Sequence, residues 1–77
     1  METKNKIKDF LEQETQRNIE DEKENLIEKG ILDSFSMIKL IGFIENELKV
    51  VVKMEELTPE NFNSVAAITQ KILTWQK

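Results

Sequence analysis

From Asp33 to Leu48 apolar and polar residues alternate at the spacing of an α-helix. At about 100° per residue, Met37, Ile38, Leu40, Ile41, Ile44 and Leu48 fall on one arc. That arc is expected to be the buried face. On the same wheel Phe35 and Phe43 lie roughly 140° from its centre, among Ser36, Lys39, Gly42 and Asn46, so both aromatic rings are expected to face outward. The helix opens with Asp33-Ser34-Phe35-Ser36. Asp and Ser side chains accept hydrogen bonds from the orphan N–H groups of a first turn, so Asp33, Ser34 or Ser36 can be the cap. The pattern therefore places a serine hydroxyl at a helix N-terminus on the surface.

Before this stretch, Ile7, Phe10 and Leu11 recur at helical spacing in a charged segment, which predicts a first amphipathic helix over residues 4–14. Over residues 15–32 the period fades, and Glu20, Asp21, Glu22 and Glu24 crowd around Lys23. This reads as a long loop with a solvated acidic cluster. Loops beyond about 12 to 15 residues are uncommon unless functional or tied down, and Ile19, Leu26, Ile27, Ile31 and Leu32 offer the ties. Gly30 suits a turn with positive φ that delivers the chain to Asp33.

After Leu48, the β-branched run Val50-Val51-Val52 resists helix, yet no second strand-like run exists to pair with it. An extended, partly buried linker is expected. Thr58-Pro59 sets a capping hydroxyl before a proline at a first helical position, predicting a very short helix over residues 59–62. Asn63 or Ser64 caps a last helix whose stripe is Val65, Ile68, Ile72 and Trp75, with Trp75 as an end plug and its indole N–H at the rim. The fold class is all-α: a small bundle of three main helices plus one short helix, in a single domain over residues 1–77, with a long loop between helices 1 and 2.

Composition narrows what such a bundle can do. Seventy-seven residues suffice for one modest core and are too few to wall in a substrate on all sides. The chain has no Cys and no His, which removes disulfides, thiolate nucleophiles, imidazole bases and the usual zinc ligands. No metal site and no catalytic residue are expected. Eleven basic and fifteen acidic residues give a net charge of -4, unfavourable for nucleic acid and for anionic lipid. No stretch approaches the ~20 apolar residues of a membrane span, and a soluble, cytoplasmic monomer is expected.

Gly30-Ile31-Leu32-Asp33-Ser34-Phe35, then a hydrophobic helix, then Leu57-Thr58-Pro59-Glu60-Asn61-Phe62-Asn63-Ser64-Val65, resembles the acyl carrier protein superfamily, including the peptidyl and D-alanyl carrier proteins. The likeness runs from about Leu26 to the end of the chain. It implies that Ser34 corresponds to the serine esterified with 4′-phosphopantetheine, Asp33 to the acid before it and Phe35 to the apolar position after it. It also implies a separate phosphopantetheinyl transferase, which supplies the arm from coenzyme A, and loading and processing enzymes that place acyl or aminoacyl groups on the arm's thiol. The residue types suit that role. A phosphodiester on Ser34 sits at the positive end of a helix dipole, worth about 0.3–1 kcal/mol when exposed. The chain offers no base to activate Ser34, so the protein is expected to be a substrate and shuttle and not an enzyme.

An Asp-Ser pair before an apolar run is by itself a common helix cap. The glycine three residues ahead of the acid, the long preceding loop and the Thr-Pro-Glu-Asn-Phe segment together favour the carrier reading. Against the acidic second helix of many fatty-acid carriers, this chain has Lys39 on the outward side and Gly42 where a larger apolar residue is common. Residues 1–33 hold ten acids and six bases, residues 34–77 five of each, so the net charge lies wholly before Ser34. Phe35, Lys39, Gly42 and Glu45 are the expected partner contacts, and a specialised biosynthetic pathway is favoured over housekeeping fatty-acid synthesis. The competing reading is a cofactor-free helical adaptor that grips a partner through Phe35.

Overall fold

The alternation of short apolar stripes with capping residues resolves into four α-helices in a computed structural model that describes residues 2–76. They are α1 (Glu2–Thr15), α2 (Ser34–Glu47), α3 (Pro59–Phe62) and α4 (Val65–Trp75), with a 3-10 turn at Met54–Glu56. No strand occurs among the described residues. Three main helices and a short one form the expected bundle. α1 packs on α2 and on α4, and α3 packs on α4.

One core joins every segment. Ile7 and Leu11 from α1, Leu40 and Ile44 from α2, Phe62 from α3, and Val65, Ile68 and Ile72 from α4 are fully buried. Such close-packed apolar side chains contribute most of the driving force for folding. The loop between α1 and α2 adds Ile19, Leu26, Ile31 and Leu32, while Ile27 is 38% exposed. Its backbone is bound at several points: Ile19 N–H donates to Glu12 Oε2 at 2.7 Å, Leu26 N–H to the Asn63 carbonyl at 2.7 Å, and the Glu22 carbonyl accepts from Ala66 N–H at 2.9 Å. Lys4 also pairs with Glu22 at 2.5 Å. A loop of this length is thus held at both of its flanks.

Val50 and Val52 are buried and Val51 is 79% exposed, the alternation of an extended segment lying on the core. The linker is not extended throughout, because Met54–Glu56 winds into the 3-10 turn. Glu56 in that turn accepts from the Trp75 indole Nε1 at 3.0 Å and pairs with Lys71 at 3.2 Å. The indole bond, then Lys71, hold the Glu56 carboxyl below its ordinary value. Trp75 is half-buried beside Phe62, ring centroids 6.1 Å apart, which is the expected end plug. Ser64 caps α4 by accepting from Ala67 N–H at 3.1 Å. Thr58 stands at the N-cap of α3, but its hydroxyl makes no cap bond; Pro59, with its fixed φ, starts this single turn alone.

The buried face of α2 is rotated from the expected arc. Ser36, Leu40 and Ile44 point inward, and Ile38, expected inside, is 68% exposed. Phe43, expected outside, is half-buried and stacks on Phe10 of α1 with centroids 4.5 Å apart. The cause lies in α1, which offers an aromatic ring to the side of α2 that carries Phe43. Stacking there turns Ile38 out to solvent. Met37, Ile41 and Leu48 keep partly buried places at the edge of the core.

This rotation has a measurable consequence. Leu40→Ala should lower the stability read from urea unfolding by about 2–5 kcal/mol, as expected for a fully buried leucine. Ile38→Ala should change it by less than about 0.5 kcal/mol. The opposite order of effects would mean that α2 presents the other face.

Candidate functional site

Asp33 enters α2 with extended backbone, φ -123° and ψ -172°, and its carboxylate accepts the Ser36 N–H at 2.9 Å. Its carbonyl accepts the Met37 N–H at 2.8 Å. Of the three possible caps, Asp33 is therefore the one used. Ser34 becomes the first residue of the helix, exposed, with its hydroxyl relieved of the capping duty. The third candidate, Ser36, is buried under the first turn.

The approach to Asp33 is fixed from behind. Gly30 has φ +73°, a left-handed conformation that residues with a Cβ rarely adopt. The turn it makes lets the N–H groups of Ile31 and Leu32 both donate to the Leu26 carbonyl, at 2.9 and 3.1 Å, and sends both side chains into the core. An open groove of about 400 Å³ runs beside the serine, lined by Ile27, Gly30, Leu32, Asp33, Ser34 and Met37. Apolar side chains dominate its walls. The sequence had not pointed to this groove, since it forms only when the loop folds back on α2.

The Ser36 backbone N–H, with help from the Ser36 hydroxyl, holds the Asp33 carboxyl below its ordinary value of 3.8. A carboxylate so occupied is a weak base, so Asp33 is suited to shaping the helix start and not to deprotonating its neighbour. Among the described residues no three metal-binding side chains come together. What the site can offer a visiting catalyst is one reachable hydroxyl beside a helix N-terminus and an apolar groove.

The expected partner contacts fall on the outward side of α2 with unequal exposure. Phe35 is 67% exposed, and Glu45 is exposed. Lys39 is exposed as well but is held, its Nζ 2.6 Å from Glu14 Oε2 and 4.7 Å from the centroid of the Phe35 ring. Gly42 is half-buried, yet a Cβ added there would meet no atom within 4 Å. Sequence reasoning missed two members of this face. Ile38 stands one helical turn beyond Ser34, a relation its spacing already contained. Glu14, from α1, could be placed beside Lys39 only once the helices were packed.

No protein-family model and no curated protein sequence matches the chain. Among solved structures, one chain of a structure described as "Crystal structure of FAD-dependent dehydrogenase" is 30% identical, with a TM-score of 0.76. The match covers 86% of this chain and 97% of that one, so the two are of nearly equal length. On that identity and coverage, the protein belongs to the same family of small helical domains as that chain.

The Asp33 bond has a pH signature. A carboxyl whose folded-state pKa is lowered stabilises the fold above its unfolded value, near 3.8, and that contribution is lost as pH falls through the lower folded-state value. Asp33→Asn retains a capping oxygen and removes the titration. Its thermal midpoint should match the parent near neutrality and fall less steeply than the parent's on acidification below 3.8. Parallel acid profiles would show that the cap does not carry this linkage.

Proposed function

We propose that this protein is a discrete acyl carrier protein, primed by covalent attachment of 4′-phosphopantetheine to Ser34. The observation that carries the reading is the division of labour between neighbours: Asp33 makes the helix cap, so the Ser34 hydroxyl is exposed and available at the first helical residue. The residues present fit the group. A phosphodiester on Ser34 would lie at the positive end of α2, where an anion is favoured. The groove lined by Ile27, Leu32 and Met37 offers apolar wall to the chain that follows. When bound, the arm supplies a terminal thiol that holds acyl or aminoacyl groups as thioesters, chemistry that a chain without cysteine otherwise lacks.

The chain's own residues present, orient and are recognised; they do not catalyse. Because Asp33 is spent on the cap, proton removal from Ser34 falls to the phosphopantetheinyl transferase. The loading and processing enzymes must then meet the outward face of α2. The protein is proposed to work in the cytoplasm, in a specialised biosynthetic pathway, with residues 34–77 carrying balanced charge.

The similar chain belongs to a structure described as a FAD-dependent dehydrogenase, and such an enzyme is one candidate partner on this reading. On this reading the chain is not itself the flavin holder. It has no βαβ unit among its described residues, and its surface depressions of about 290 to 440 Å³ are open. As a carrier, a domain of this size would serve such an enzyme by bringing its substrate.

Incubation with coenzyme A and a broad-specificity phosphopantetheinyl transferase should raise the intact mass by one phosphopantetheine, and Ser34→Ala should abolish the gain. An unchanged mass, or an equal gain in Ser34→Ala, would leave the adaptor reading in its place.

A further inference from the structure

Residues 50–53 form an extended stretch whose backbone is left largely unpaired. Val50 N–H donates to the Ile44 carbonyl at 3.3 Å, and the Lys53 carbonyl accepts from Glu56 N–H at 2.9 Å. Between these ends, no hydrogen bond among the described residues takes up the N–H or carbonyl of Val51 or Val52, or the N–H of Lys53. Backbone groups of a folded chain are normally paired, and a row of free ones on an extended segment is a template for another strand. The stretch is also reachable. Val51 is 79% exposed, and an open groove of about 440 Å³ beside it is lined by Lys49, Val51, Trp75 and Gln76 among others.

The side chains say what pairs there. Val50 and Val52 are buried, so the outward row is Lys49, Val51 and Lys53. Ion pairs engage Lys4, Lys29, Lys39 and Lys71, but among the described residues none engages Lys49 or Lys53. The neighbouring acids lie outside the extended stretch: Glu47 ends α2, and Glu55 and Glu56 belong to the 3-10 turn. In a chain of net charge -4, this edge therefore presents an apolar residue between two unpaired cations. A second copy of the chain is a poor occupant. In the antiparallel register that sets Val51 opposite Val51, Lys49 of each copy faces Lys53 of the other, and like charges directly opposite are destabilising.

We infer that residues 50–53 are a receptor edge for an extended segment of a partner protein, in which an apolar residue has a carboxylate two positions to either side. Added antiparallel, the segment sets its apolar residue opposite Val51 and exchanges both backbone hydrogen bonds with it. Its two carboxylates then stand opposite Lys49 and Lys53. The backbone bonds supply affinity, and the alternate side chains supply selectivity. This edge lies past the C-terminal end of α2, roughly 20 Å along the helix from Ser34. It does not depend on the carrier reading.

The test is an NMR titration of the full, unmodified, nitrogen-15-labelled chain with the peptide acetyl-Ser-Glu-Thr-Val-Thr-Glu-Ser-amide. One control peptide carries lysines in place of both glutamates. Another carries a methyl group on the valine nitrogen, which removes a donor that the pairing needs. The expected result is saturable shifts centred on the Val51 and Lys53 amides, slower exchange of both with solvent, and at least about tenfold weaker binding of either control. In Lys49→Glu/Lys53→Glu the preference should reverse, with the lysine peptide bound in place of the glutamate peptide. Should that variant lose its helicity by circular dichroism, the control peptides against the parent chain decide alone. No saturable shift up to about 1 mM peptide would overturn the inference. So would shifts centred elsewhere, binding indifferent to the valine methyl group, a preference that survives charge reversal, or pairing of the free protein with itself through Val51.

Discussion

The hydrogen bond from Ser36 N–H to the Asp33 carboxylate, 2.9 Å long, sets the first turn of α2 and with it the position of Ser34. Had Ser34 been the cap, its oxygen would face the helix's own amides and be engaged there. With Asp33 in that place, the serine is moved one residue into the helix, exposed and without the role of cap. The Gly30 turn and the two N–H groups bound to the Leu26 carbonyl make the arrangement rigid from the loop side. Leu40 and Ile44 anchor it from the core side. A tether attached at Ser34 would therefore swing from a fixed point.

On the proposed carrier reading several enzymes must handle this chain, and its charge is unevenly placed for that. The excess of acids lies in α1 and the following loop, where Glu22 and Glu14 are drawn into ion pairs with Lys4 and Lys39. Both pairs are partly exposed and contribute little to stability. The Lys39–Glu14 pair also engages the cation that lies beside Phe35 on α2, leaving Phe35 and Ile38 as the large apolar side chains exposed on that helix.

What the sequence made legible was local. Gly30, Pro59, Ser64 and the Asp33–Ser36 stretch act through a residue's own backbone or its near neighbours, and each stands where the spacing predicts it. What it hid was relational. The wheel for α2 has apolar residues over a broad arc, and only the ring of Phe10 decides that Phe43 goes in and Ile38 goes out. Two left-handed residues after helix ends, Gln16 at φ 61° and Lys49 at φ 59°, are equally silent in sequence, because glycine or asparagine is the usual sign of such a stop. The serine of the candidate site was thus readable, its groove was not, and of the two apolar side chains exposed on α2 the spacing pointed to Phe35 and not to Ile38.

The account turns on Ser34 being the tether point in the living cell. The protein should be isolated from its own source, digested after lysine, and the peptide spanning residues 30–39 examined by mass spectrometry. The account predicts that this peptide carries phosphopantetheine on Ser34, free or with its acyl group. A bare peptide, from cells in which other carriers are fully pantetheinylated, would contradict it.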